Sequence, residues 1–192
     1  LFAPQGKDMY PAGFNSLVRV DGITETLCGK QRPGHFEGVT TVVAKLFNIV
    51  KPDVAIFGEK DFQQLAVIRK MVRDLDWDIE IVGHPIVREA DGLAMSSRNV
   101  FLSAGERQRA LSLSRAIEHS KQRVLEGLTD AGRLIDEVTD IIQPGDEVVI
   151  DYINIVDSLS LADMNTIDRQ SVLAMAVKVG RTRLIDNCFL FS

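Results

Sequence analysis

The sequence predicts an α/β protein with a parallel sheet in its first half, on two observations. Helical and strand-like patterns alternate there, and the turn that leaves the first apolar strand is polar and carries a glycine. Val39, Val42, Val43, Leu46, Phe47 and Val50 recur at helical spacing, the stripe of a helix packed on a sheet. Pro52 stops that helix. Asp53-Val54-Ala55-Ile56-Phe57 follows, an apolar run of the kind a buried parallel strand shows. The next helix has Leu65, Ile68, Val72 and Leu75 on one face with Met71 close by, and Ile79-Glu80-Ile81-Val82 reads as the next strand. The order α, β, α, β implies right-handed crossovers and a parallel sheet.

The remaining elements follow from local chemistry. Lys7 to Gly13 reads as a helix turn broken by Pro11 and Gly13. Leu17-Val18-Arg19-Val20 alternates like a short strand. Gly29 to Gly34 reads as a loop. After His84-Pro85 the texture changes, and residues 88–99 are too polar and glycine-broken to be an element, so they read as an ordered loop with a function. Ser103-Ala104-Gly105-Glu106 has capping-box spacing and opens a helix to about Leu125. A further helix spans about Asp130 to Ile142, with Leu134, Ile135, Val138 and Ile141 apolar. Pro144-Gly145-Asp146 reads as a turn. Strands are expected at Val148–Val156, at Ser171–Val179 and over Arg183-Leu184-Ile185-Asp186-Asn187. A boundary near residue 86 gives two domains, residues 1–86 and 87–192.

Lys and Arg total 22 against 27 Asp and Glu, a net charge of −5. That balance argues against a nucleic-acid partner or an anionic-membrane surface. No apolar run approaches membrane-spanning length. Cys28 and Cys188 are the only cysteines, too few for a disulfide framework or a zinc cluster, which favours a reducing, cytoplasmic setting. There is no Walker loop, no Gly-x-Gly-x-x-Gly and no His-Glu-x-x-His. With only His35, His84 and His119, no Ser/His/Asp order can be defended, so no covalent nucleophile is evident. His84 reads as structural and His119 as sitting on a polar face. Asp130, Asp136, Glu137 and Asp140 read as a solvated acidic helix face. No metal-ligand set is expected.

The polar turn is Gly58-Glu59-Lys60-Asp61, at the carboxyl end of a strand, where open α/β sheets bind ligands. Gly58 allows close backbone approach or an unusual φ. Lys60 offers a point charge for phosphate, Asp61 an acceptor for ribose hydroxyls, and Gln64 both donor and acceptor one turn later. Met95-Ser96-Ser97-Arg98 offers two hydroxyls and a guanidinium, a set suited to gripping phosphate. Two such segments, each after a probable strand, argue for a polyphosphate. Arg32 and His35 precede the long helix and could hold a carboxylate or phosphate, with His35 kept neutral by the helix N-terminus. Each motif also has an ordinary reading, respectively a polar turn, a surface loop, and a loop arginine beside a capping histidine.

Three motifs in this order carry a family resemblance: Arg32-Pro33-Gly34-His35-Phe36, Phe57 to Leu65, and Asp91 to Asn99. With Arg183 to Asn187 they resemble the pantothenate synthetase (pantoate–β-alanine ligase) family over the whole chain. The resemblance implies a partial Rossmann-like sheet of the HIGH-superfamily nucleotidyltransferases followed by a smaller C-terminal α/β (α+β) domain. It implies condensation of D-pantoate with β-alanine through pantoyl adenylate, with ATP as co-substrate, Mg²⁺ accompanying the polyphosphate, and a homodimer. By position it puts Gly58, Glu59, Lys60, Asp61, Val87, Met95, Ser96, Ser97 and Arg98 at ATP. Lys60, Ser96, Ser97 and Arg98 would be the catalytic set, and Gln64, Arg32 and His35 would lie on the pantoate and β-alanine side.

The family's His-x-Gly-His motif has no counterpart in these residues. The chain therefore reads as the C-terminal two thirds of such an enzyme, inactive by itself. Two other readings stay open: a nucleotidyltransferase of the same superfold with another acceptor, and a binding or dimerisation module.

Overall fold

In the computed structural model, residues 1–142 and 147–191 are described. The expected turn at Pro144-Gly145-Asp146 lies outside them. The chain opens with α1 (Gly6–Met9), α2 (Leu27–Gln31) and α3 (His35–Val50). Two of the expected features differ here. Leu17 to Val20 is not a strand, because the side chains of α3 take its backbone partners. Val18 N–H donates to Thr41 Oγ1 at 2.9 Å, and its carbonyl accepts from Thr40 Oγ1. The expected loop at Gly29–Gly34 is helical as far as Gln31, inside α2.

Strand β1 (Val54–Gly58) and the 3₁₀ turn Glu59–Asp61 lead into α4 (Phe62–Asp74), and β2 (Glu80–His84) follows. β1 and β2 pair in parallel, Val54 opposite Glu80 through Gly58 opposite His84, as the α, β, α, β order requires. Val43, Ala44, Phe47, Ile68, Met71 and Val72 form the core between helices and sheet, with Ala55, Phe57, Ile79 and Ile81 packed against it. β1 is not buried on both faces as its composition suggests. Ile56 is 67% exposed and Val54 48%, because α3 and α4 cover only the face that carries Ala55 and Phe57. Val50 and Leu75, at the ends of their helical stripes, are exposed as well.

The second half is α+β. A 3₁₀ turn at Ser97–Phe101 precedes α5 (Ala104–Ala110), α6 (Ser112–Leu125) and α7 (Ala131–Ile142). The expected capping box is present, Ser103 Oγ accepting from Glu106 N–H and Glu106 Oε2 from Ser103 N–H, and it opens α5. The single helix expected to Leu125 is two, joined at Leu111. The expected acidic face of α7 is not merely solvated. Glu137 accepts from Arg123 at 2.8 Å and 3.1 Å and lies 2.8 Å from His119. β3 (Val148–Asp157), β4 (Ser171–Val179) and β5 (Thr182–Phe189) form an antiparallel sheet in the order β3-β4-β5. Its inner face packs with Leu113, Ala116, Leu134 and Val138 of α6 and α7.

A third core joins the two halves. Ile23, Leu27, Phe36, Phe62 and Val67 pack with Val156, Leu161, Val172 and Ala174. Phe62 and Phe189 meet edge to face, ring centroids 5.7 Å apart. No helix of the described residues is long and apolar enough to cross a membrane.

Candidate active site

The junction of the halves holds a cavity of about 250 Å³. The first half contributes Arg32, His35, Lys60, Asp61 and Gln64 to its lining, and the second half contributes Ser96, Ser97, Arg98, Tyr152, Arg183, Asp186 and Asn187. Segments read separately in the sequence thus face one hollow.

Lys60 and Asp61 sit on the 3₁₀ turn that β1 runs into, so they stand at the carboxyl end of the parallel strands. Lys60 is half-buried, and that burial lowers its amine below the usual lysine range, with the nearby Arg98 charge adding to the effect. Gly58 itself is extended, φ −70°, and a Cβ there would meet nothing within 4 Å. Neither an unusual φ nor contact with protein explains the glycine. Gln64 follows on the first turn of α4. Its neighbour Gln63 is buried and structural. It accepts from Gly29 N–H at 3.3 Å and donates to the carbonyls of Ile23 at 2.9 Å and Thr26 at 2.8 Å.

His35 is the first residue of α3, after Gly34 in the left-handed region at φ 77°, a conformation glycine adopts without strain. Burial lowers the His35 pKa, and the Arg32 and Arg183 charges push the same way. Arg32 Nη1 lies 3.3 Å from His35 Nε2. A guanidinium only donates, so Nε2 accepts and the ring is neutral. The histidine does not cap its helix, whose N-cap has no side-chain bond.

Residues 88–99 are ordered. Glu89 N–H donates to Leu93 O, Met95 N–H to Val87 O, and the turn between them uses Gly92 at φ +92°. Asn99 Nδ2 donates to Ala94 O at 3.1 Å and to Glu89 Oε1. Ser96 Oγ accepts from Arg98 N–H at 3.2 Å, which caps the 3₁₀ turn and leaves the hydroxyl proton for another acceptor. Arg98 Nη1 donates to Arg183 O at 3.3 Å, which lays its side chain along β5.

Gly58, Glu59, Val87 and Met95 are outside the cavity's lining. Val87 and Met95 are about half exposed beside one another, and Gly58 ends β1. The β5 residues were missed as site residues by sequence reasoning. Arg183 donates through Nε to Asp151 Oδ2 at 2.7 Å. Asp186, whose side chain is 1% exposed, takes both Arg88 guanidinium nitrogens at 2.7 Å and 3.0 Å. Asn187 Nδ2 donates to the carbonyls of Glu59 and Lys60 at 3.0 Å and 2.9 Å. Charged and amide side chains in an otherwise apolar strand were the available signal. Tyr152, its hydroxyl pushed up to about 12 by burial, closes the wall near Arg183.

Chemically, the hollow gathers four cationic side chains, Arg32, Lys60, Arg98 and Arg183, the hydroxyls of Ser96 and Ser97, and the neutral imidazole of His35, a set suited to phosphate and carboxylate oxygens. A model of the pantoate-beta-alanine ligase family matches residues 1–189. Pantothenate synthetase from Heliobacterium modesticaldum is 54% identical over 187 residues, 97% of this chain and 66% of that protein. Its counterpart from Geobacter sulfurreducens is 54% identical over 190 residues, 99% of this chain and 67% of that protein. The crystal structure of pantothenate synthetase from Thermus thermophilus superposes with a TM-score of 0.94 at 42% identity, covering 100% of this chain and 69% of that one. A pantoate-beta-alanine ligase from Francisella tularensis, complexed with beta-gamma ATP and beta-alanine, superposes at 0.70 with 29% identity over 96% of this chain and 62% of that one. The chain spans about two thirds of the length of the curated relatives it matches. On its motifs, its fold and this match along nearly its whole length, the chain belongs to the pantoate–β-alanine ligase family.

Proposed function

We propose that this chain is the C-terminal two thirds of an enzyme that joins pantoate to β-alanine using ATP. The observation that carries the reading is that Arg32, His35, Lys60, Gln64, Ser96, Ser97 and Arg98 line one cavity in a chain of this family. The Francisella tularensis relative, complexed with a form of ATP and β-alanine, supports it.

A pantoate carboxylate oxygen attacks the α-phosphorus of ATP. The bond from that phosphorus to the bridging oxygen of the β-phosphate breaks, and pyrophosphate leaves with the electron pair. The β-alanine amine then attacks the acyl carbon of pantoyl adenylate. The acyl C–O bond breaks, AMP leaves, and the amine gives up a proton. Lys60 and Arg98 offset charge moving onto the phosphate oxygens, and the hydroxyls of Ser96 and Ser97 donate to them. Asp61 takes the ribose hydroxyls, with Gly58 and Glu59 along the same turn and Val87 and Met95 on the nucleotide's outer side. Gln64, Arg32 and His35 hold the pantoate and β-alanine side. The chemistry is positioning and charge stabilisation, with no covalent enzyme intermediate.

Mg²⁺ is expected with the polyphosphate. Among the described residues no group of three or more His, Cys, Asp or Glu could hold a metal ion, and Mg²⁺ at such sites takes most of its ligands from phosphate and water. Residues 1–86 and 87–192 act as nucleotide half and closing half. A homodimer in the cytoplasm is part of the same proposal.

The test uses the chain completed at its N-terminus with the remaining third of the Heliobacterium modesticaldum relative. Pyrophosphate release should require pantoate, and added β-alanine should yield pantothenate and AMP. Release with another carboxylate and none with pantoate would instead mean a different nucleotidyltransferase. A folded, self-associating protein without turnover would mean a binding module.

A further inference from the structure

Between Arg88 and Asn187 lies a set of contacts that the proposed chemistry does not use. The two segments expected at phosphate are distant in sequence, Gly58–Asp61 and Met95–Arg98, and neither hydrogen bonds the other directly in the contacts described. Both are tied to the same two consecutive residues of β5. Asn187 Nδ2 spends both of its protons on the carbonyls of Glu59 and Lys60, at 3.0 Å and 2.9 Å. Asp186 holds Arg88 through a two-pronged ion pair, and Arg88 Nη1 also reaches Gly92 O at 3.1 Å, at the root of the loop that carries Ser96 to Arg98. The carboxylate and the amide are themselves linked, because Asp186 Oδ1 accepts from Asn187 N–H at 2.9 Å. Asp186 and Asn187 are 2% and 6% exposed. Their strand pairs with β4 along its whole length, from Thr182 opposite Val179 to Phe189 opposite Val172, so the anchor is rigid.

We propose that Asp186 and Asn187 are positioning residues that set the distance between the Lys60 turn and the Ser96–Arg98 turn. Neither need touch a substrate. Asn187 acts on the turn's backbone, and so fixes where the Lys60 amine and the first turn of α4 with Gln64 stand. Asp186 acts through Arg88 on the opposite wall. A gap set to suit a phosphate group needs a fixed reference shared by both walls, because an error of about 1 Å in such a site costs about a hundredfold in rate. This rests on the reading of the cavity as the site of phosphate chemistry.

Asn187→Asp makes the test specific. It keeps the shape but replaces two donated hydrogens with a carboxylate facing two carbonyl oxygens. The charged groups around position 187 are Glu59, Lys60 and Asp61 on the turn, and Arg183, Asp186 and Arg88 on and against β5. Protonation would restore one donor, so the defect should shrink as pH falls. In the completed chain at pH 8, N187D should lower kcat at least tenfold with native circular dichroism. Between pH 8 and pH 5.5 its kcat relative to the unsubstituted protein should recover several-fold, whereas N187A should lose kcat without that recovery. A kcat within threefold of the unsubstituted protein at pH 8 overturns the proposal, as does identical pH behaviour of N187D and N187A. If N187D does not fold, the magnitude of loss in folded N187A decides by the same tenfold and threefold limits. Hydrogen exchange on the chain as it stands gives an answer that needs no turnover. Amides of residues 59–65 should exchange at least tenfold faster in N187A, with those of α6 unchanged, and unchanged exchange at 59–65 overturns the tether. Failure of the unsubstituted completed chain to release pyrophosphate counts against the proposed function, and leaves the exchange result to judge the tether.

Discussion

Arg32 Nη1 stands 3.3 Å from Nε2 of His35, so a fixed positive charge faces the one imidazole in the cavity. Burial already disfavours imidazolium there, and the Arg32 and Arg183 charges add to that. The folded pKa therefore lies below the unfolded value near 6.5. The contribution is present in full above that value and is lost as pH falls through it towards the folded pKa, because the unfolded chain binds the proton first. His35→Gln should flatten the pH dependence of stability below about pH 6.5, read from urea midpoints at pH 5 to 8. An unchanged slope would show that His35 titrates normally.

Lys60→Ala should act on rate. In the proposed reaction its amine faces oxygens whose charge shifts during adenylation, and loss of one preorganised donor of this kind lowers kcat by about 10²–10³-fold. The KM for ATP should move less. Measured by pyrophosphate release in the completed chain, near-normal kcat would remove Lys60 from the catalytic set.

The adjacent glutamines should separate cleanly. Gln63→Ala strands Gly29 N–H and the Ile23 carbonyl beside α4, while the Thr26 carbonyl keeps its bond from Lys30 N–H. Each buried group left unpaired costs about 1–3 kcal/mol. Gln64→Ala strands nothing comparable and should raise the KM for pantoate at nearly unchanged stability. Denaturant melts paired with pantoate titrations would reveal a reversal of these roles.

Glu137 predicts the acid limb of unfolding. Hydrogen bonds from Arg123 and His119 hold its carboxyl at about 2, below the ordinary 4.5. A depressed carboxyl stabilises the fold above 4.5 and loses that contribution as pH falls from there towards 2. Glu137→Gln should lower stability at pH 7 and leave the protein nearly unchanged at pH 2. Parallel pH curves for the two proteins would refute the assignment.

The elements legible in the sequence were those set by local chemistry. Pro52 and the apolar run after it gave β1, and Ser103 with Glu106 gave the start of α5. The cavity's first wall was legible for the same reason, since Gly58 to Gln64 is one continuous strand-turn-helix. What was not legible depended on distant partners. Leu17 to Val20 alternates like a strand, yet its hydrogen bonds go to Thr40 and Thr41 side chains. Asn187 looks like an ordinary strand residue until the fold brings it against a turn 127 residues away. Glu137 looks solvated until α6 brings Arg123 and His119 to it.

The core that runs from Leu27, Phe36 and Phe62 to Val156, Leu161 and Val172 lies next to the hollow, which Leu27, Phe36 and Phe62 also line. Prising one half from the other would wet all of these side chains at once, and burying a single one is worth about 1.5–3 kcal/mol. Arg32, Lys60 and Arg183 thus stand beside one shared apolar seam, and any wide parting of the first two from the third has to open it.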